Sequence, residues 1–70
     1  MIKKLIIVDD DTPFRERLGR SMEKKGFLVE TYSNYKECLN RCFEESFDYA
    51  IIDMRLEDGS GLELIKKIKE

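Results

Sequence analysis

Two short apolar runs, Leu5-Ile6-Ile7-Val8 and Tyr49-Ala50-Ile51-Ile52, stand out in a chain whose other hydrophobic residues fall at helical spacing. Four apolar residues in a row, without alternation, predict a strand covered on both faces, as in a parallel sheet. The first strand is expected over residues 3–9, and the third is expected to end as a buried strand at Asp53. Between them Phe14, Leu18, Ser21 and Met22 fall at i, i+4, i+7 and i+8, one stripe of a helix, with Arg15, Glu16, Arg17, Arg20 and Glu23 on a solvated face. Asp11 or Thr12 can cap that helix, and Pro13 fits its first turn, where a missing N–H is no loss. Lys24 and Lys25 suit the last turn, and Gly26 stands where the residue after a helix cap belongs.

Residues 27–32 predict a second strand, less continuously apolar and so suited to a sheet edge. Ser33 or Asn34 then caps a second helix with the stripe Tyr35, Cys38, Leu39, Cys42 and Phe43. Phe47 and Asp48 lead into the third strand. Residues 54–61 carry two glycines and three charges and read as a loop. They lack the Gly-Lys-Ser/Thr ending of a phosphate-binding P-loop. Residues 62–70 predict a third amphipathic helix with no stop signal, so the sequence reads as cut there and not finished. The order is β-α-β-α-β-α. Right-handed crossovers are expected, and the first strand is expected to lie between the second and third, in the strand order 2-1-3 of an α/β sheet.

Both apolar runs end in acid: Asp9-Asp10-Asp11 after the first, Asp53 after the third. A lone Asp after a strand is commonly a turn cap. Two parallel neighbours ending alike change that reading. They bring Asp9, Asp10 and Asp53 to the carboxyl edge, where open α/β sheets place their ligands. Three carboxylates there repel one another unless a cation sits among them. Oxygen ligands with open positions suit Mg²⁺.

Seventy residues make one small domain at most, in which a core rarely supplies more than about 3–5 kcal/mol. Cys38 and Cys42 are too few for a zinc site and no His is present, so they read as reduced core thiols of a cytoplasmic protein. The 13 basic and 15 acidic residues give a net charge of −2, which leaves no basic footprint for nucleic acid. No 18-residue apolar span predicts a membrane helix, and Lys3-Lys4 with its short apolar run is not a signal peptide.

The segment Ile6-Ile7-Val8-Asp9-Asp10, the Asp that closes a strand at Asp53, and Gly61-Leu62-Glu63 together resemble the receiver domain of two-component response regulators. The run from Arg55 to Glu63 further resembles regulators of the redox and photosynthesis-control type, which carry a DNA-binding helix-turn-helix after the receiver. The resemblance covers the whole chain. It implies a flavodoxin-like (CheY-like) doubly wound parallel sheet, truncated to three β-α units with strand order 2-1-3, residues 1–70 being the N-terminal part of the receiver. It implies that Asp53 takes a phosphoryl group from a sensor histidine kinase, that Asp10 binds Mg²⁺ directly, that Asp9 assists through water, and that Arg55 lends its backbone carbonyl to the metal.

Two departures follow from the same resemblance. Receivers commonly carry Pro four residues after the acceptor, where this chain has Glu57. The family's Ser/Thr after strand four and Lys after strand five are not among these residues. Two functions are therefore expected: a phosphoacceptor that controls transcription in a longer parent, or a phosphorylation-incompetent binding module. DNA would be reached only through a C-terminal module. A homodimer is expected, through the third-strand edge or an exchanged third helix. A haloacid-dehalogenase type of hydrolase needs a second Asp two residues past the nucleophile, and Arg55 holds that place.

Overall fold

The fold rests on its first strand, because among the described residues that strand alone has neighbours on every side. β1 (Lys4–Val8) pairs in parallel with β2 (Leu28–Tyr32) on one side and with β3 (Tyr49–Ile52) on the other, giving the order β2-β1-β3. Leu5, Ile6, Ile7 and Val8 are all at most 1% exposed. The computed structural model describes residues 2–53, 55–56, 59–60 and 66–67.

Successive strand residues face opposite sides of a sheet, so β1 feeds two cores. Ile6 and Val8 join Cys38 of α2 (Tyr35–Glu44), with Tyr32, Leu39, Cys42, Phe47 and Ile52 packed around them. Burial pushes the Cys38 thiol up to about 12, so it behaves as a small hydrophobe. On the other face α1 (Thr12–Lys24) lies against β2 and β1. Its Gly19 is buried so close to β2 that an added Cβ would stand 3.4 Å from the Thr31 methyl. One helix on each face makes the sheet doubly wound, as expected.

The helix ends follow the sequence. Asp11 caps α1 by accepting from the Phe14 N–H at 3.1 Å, with Pro13 in the first turn. At the other end Gly26 takes φ 98°, its N–H donates to the Glu23 carbonyl at 3.0 Å, and the Phe27 N–H donates to the Met22 carbonyl at 3.2 Å. That left-handed residue with its paired bonds closes the helix and aims the chain into β2. Asn34 caps α2 by accepting from the Glu37 N–H at 2.9 Å.

Four expectations need correction. First, α1 presents Arg15, Leu18, Gly19 and Met22 inward, while Phe14 and Ser21 are exposed. The helix is rotated by about one residue from the expected stripe, since Gly19 lets its backbone approach β2. Second, Phe43 is 76% exposed. Near its end α2 turns Arg41, Cys42 and Glu45 toward the sheet instead, drawn by ion pairs. Arg41 holds Glu30 of β2 with two bonds, 2.7 and 2.9 Å, and Glu45 pairs with Lys4 of β1. Third, β3 is not covered on both faces: Tyr49 is 53% and Ile51 39% exposed. Among the described residues it pairs with β1 alone. Fourth, the expected loop contains a small antiparallel ladder, β4 (Arg55–Leu56) with β5 (Gly59–Ser60). Lys66 and Lys67 are helical. The rest of the expected third helix, Glu57 and the Gly61-Leu62-Glu63 motif lie outside the described residues.

The Arg41 fork holds the Glu30 carboxyl below its usual range, helped by the bond Glu30 accepts from the Tyr32 hydroxyl at 2.8 Å. A carboxylate whose folded pKa is depressed stabilises the fold above its unfolded pKa, about 4.3, and loses that contribution as pH falls through the lower folded value. Glu30→Gln is therefore expected to flatten the acid limb of stability below about pH 4.3. Urea melts across that range check it. An acid limb that stays as steep in the variant would contradict the assignment.

Candidate metal and phosphoacceptor site

Pairing in register decides where the acids meet. Val8 is the partner of Ile52, so the next residue of each strand, Asp9 and Asp53, emerges side by side at the carboxyl edge. The ladder runs one bond further: the Asp53 N–H donates to the Val8 carbonyl at 2.8 Å. On the other side the Asp9 N–H donates to the Tyr32 carbonyl at 3.1 Å. Asp9 is thus tied to β2 directly and follows the residue that holds Asp53, and its Oδ1 accepts from the Asp11 N–H at 2.9 Å as the chain turns toward α1.

Asp9, Asp10 and Asp53 each place a carboxylate oxygen within 4.8 Å of the others. Asp9 and Asp53 are half-buried and Asp10 is exposed. Asp11 is used elsewhere, as the cap of α1. Three anionic oxygens gathered from three residues fit a hard divalent cation. In an octahedron with Mg–O of about 2.0–2.1 Å, opposite oxygens stand about 4.2 Å apart. The other positions of such an ion would be left to water or to an incoming oxygen.

Residues 5–70 match the family described as response regulator receiver domain. The chain belongs to that family. Among curated relatives it is 41% identical over 68 residues to the photosynthetic apparatus regulatory protein RegA of Cereibacter sphaeroides, covering 97% of this chain and 37% of that protein. It is 46% identical over 67 residues to the acid tolerance regulatory protein ActR of Rhizobium meliloti, covering 96% and 34%. The chain therefore spans about a third of the length of these relatives. A receiver domain (CheY-like) from Methylobacillus flagellatus superposes with a TM-score of 0.93 at 26% identity, over 99% of this chain and 58% of that one. A response regulator protein from Burkholderia pseudomallei, solved with a phosphorylated aspartic acid, a calcium ion and citrate, superposes with a TM-score of 0.88 at 32% identity, over 94% and 39%.

The receiver's acidic mouth was legible in its carboxylates but not in what holds them. Arg15, assigned to the solvated face, donates from Nη1 to the Asp9 carbonyl at 2.7 Å. The available signal was its phase, because Arg15, Leu18, Gly19 and Met22 themselves follow i, i+3, i+4, i+7. Arg55 lies two residues past Asp53, in β4 opposite Ser60. Among the described residues no helix is long and apolar enough to cross a membrane.

Proposed function

We propose that this receiver segment is the amino-terminal, metal- and acceptor-bearing part of a cytoplasmic phosphoacceptor that takes a phosphoryl group from a sensor histidine kinase. The observation that carries the reading is the meeting of Asp9, Asp10 and Asp53 within 4.8 Å at the carboxyl edge of a receiver sheet. Asp53 is the nucleophile. Its carboxylate oxygen attacks phosphorus, the bond from phosphorus to the donor imidazole nitrogen breaks, and that nitrogen keeps the electron pair and takes up a proton. Attacking and transferred groups are both anionic, so bound Mg²⁺ supplies charge neutralisation and alignment. Asp10 and Asp53 would hold it directly, Asp9 would assist through water, and the Arg55 backbone carbonyl would complete the protein's share. Half-burial of Asp53 limits the water that competes for the phosphoryl group. The Burkholderia neighbour, with its phosphorylated aspartic acid and calcium ion, supports the same chemistry. RegA and ActR are named as regulatory proteins, which supports an output in transcription through a DNA-binding module outside these residues.

A second reading, a homodimer through the edge of β3 that has no strand partner among the described residues, is favoured by the exposure of Tyr49 and Ile51 and is argued in the Discussion.

Labelling tests the first reading. In a protein that continues through the remaining β-α units, Mg²⁺-dependent transfer from a phosphorylated kinase should label Asp53, and Asp53→Asn should remove the label. The 70-residue chain alone is expected to label weakly with acetyl phosphate, because the resemblance assigns two further phosphate ligands to later strands. Label on any residue other than Asp53 would defeat the assignment.

A further inference from the structure

The guanidinium of Arg15 is spent on one peptide unit. Nη1 donates at 2.7 Å to the Asp9 carbonyl, the oxygen of the peptide that joins Asp9 to Asp10. A peptide is planar, so holding its oxygen orients the unit from which both carboxylates depart. The rest of the turn is tied by other groups: Asp9 N–H to Tyr32, Asp11 N–H to the Asp9 carboxylate, and Arg15 N–H to the Asp11 carbonyl at 2.9 Å. None of those bonds reaches the carbonyl between the two acids. Meanwhile Arg15 Nε is buried and has no hydrogen-bond partner among the described residues. An orphaned buried donor needs a reason. A side chain placed for its own satisfaction would leave this donor in water; here reach to the Asp9 carbonyl takes precedence.

We infer that Arg15 is a positioning residue for the metal site: its grip on the Asp9–Asp10 peptide sets both carboxylates against Asp53. The inference rests on the metal-site reading above. Arg15 is a cation and ligates nothing; it acts through Asp9 and Asp10. This gives the role a distinctive sign. By charge alone, removing a guanidinium beside three carboxylates should tighten cation binding. Loss of a clamp should weaken it, and a purely structural role should leave it unchanged once the chain is folded.

The test is Mn²⁺ binding to the 70-residue chain, read from the spin-resonance signal of free Mn²⁺, with metal-free melting recorded alongside. Arg15→Met keeps the apolar stem and loses the donors. It should weaken Mn²⁺ binding about 10–100-fold, the range found when groups that orient metal ligands are removed. Arg15→Gln, gentler on the fold and too short to reach the Asp9 carbonyl, should weaken it in the same direction and decides the matter if Arg15→Met does not fold. Unchanged or tighter binding in the folded variant overturns the inference alone. If the original chain binds no Mn²⁺, the metal-site reading falls and takes this inference with it. Asp10→Ala marks the no-site baseline.

Discussion

Magnesium at about 100 times its dissociation constant should stabilise the 70-residue chain by about 2.7 kcal/mol, since it binds the folded state and not the unfolded one. For a domain this small that corresponds to a rise in Tm on the order of 10–20 °C. The gain is large because the starting stability is small: a core of this size rarely supplies more than about 3–5 kcal/mol. Asp10→Ala should remove the magnesium response. It should not weaken the metal-free chain, because the exposed Asp10 carboxylate has like charges within 4.8 Å and its loss relieves their repulsion. The two effects move in opposite directions, which separates a ligand from a residue that merely supports the fold. Thermal melts of both proteins, with and without MgCl₂, check this. A melting temperature in the original chain that ignores Mg²⁺ would sink the acidic-site reading.

What could be read from the sequence divides by physical cause. Local rules held where one interaction decides the outcome. Asp11 and Asn34 cap because a short side-chain oxygen reaches an orphan N–H, and Gly26 ends α1 because its φ of 98° suits a residue without Cβ. The meeting of Asp9, Asp10 and Asp53 was legible because parallel register makes the ends of adjacent strands coincide. Where two interactions compete, the stripe misleads. Phe43 continues the apolar spacing of α2, yet the Arg41–Glu30 and Glu45–Lys4 pairs rotate the helix end and leave it outside. Phe14 yields to Arg15 for a related reason. Close approach at Gly19 sets the phase of α1, and periodicity counts apolar side chains and not their absence. An arginine on the inner phase of a helix reads as polar, although a long stem buries readily while its head finds a carbonyl.

The same sheet leads to the expectation that the 70-residue chain does not remain monomeric. Tyr49 to Ile52 has the unbroken apolar character of an interior strand, but among the described residues it pairs only with β1. Its outer row of N–H and C=O groups is a template for another strand. On one face Tyr49 and Ile51 are 53% and 39% exposed, with Phe27 reaching Tyr49 edge-to-face at 5.7 Å. On the other, a groove of about 320 Å³ opens beside the strand, lined in part by Cys42, Phe47 and Ala50. Edge and apolar surface thus coincide, and a partner that pairs with the edge also covers the surface. A two-fold dimer with β3 strands antiparallel does both with one contact; an exchanged third helix would cover the surface. The strand-paired dimer leaves no room for a further strand beside β3. Sedimentation at high micromolar concentration should give twice the monomer mass. Ile51→Lys, which sets a charge on the shared face, should return it to the monomer. A single monomeric species in the original chain, with amides along Tyr49 to Ile52 already protected from exchange, would show that the edge is covered from within the chain and would end the idea.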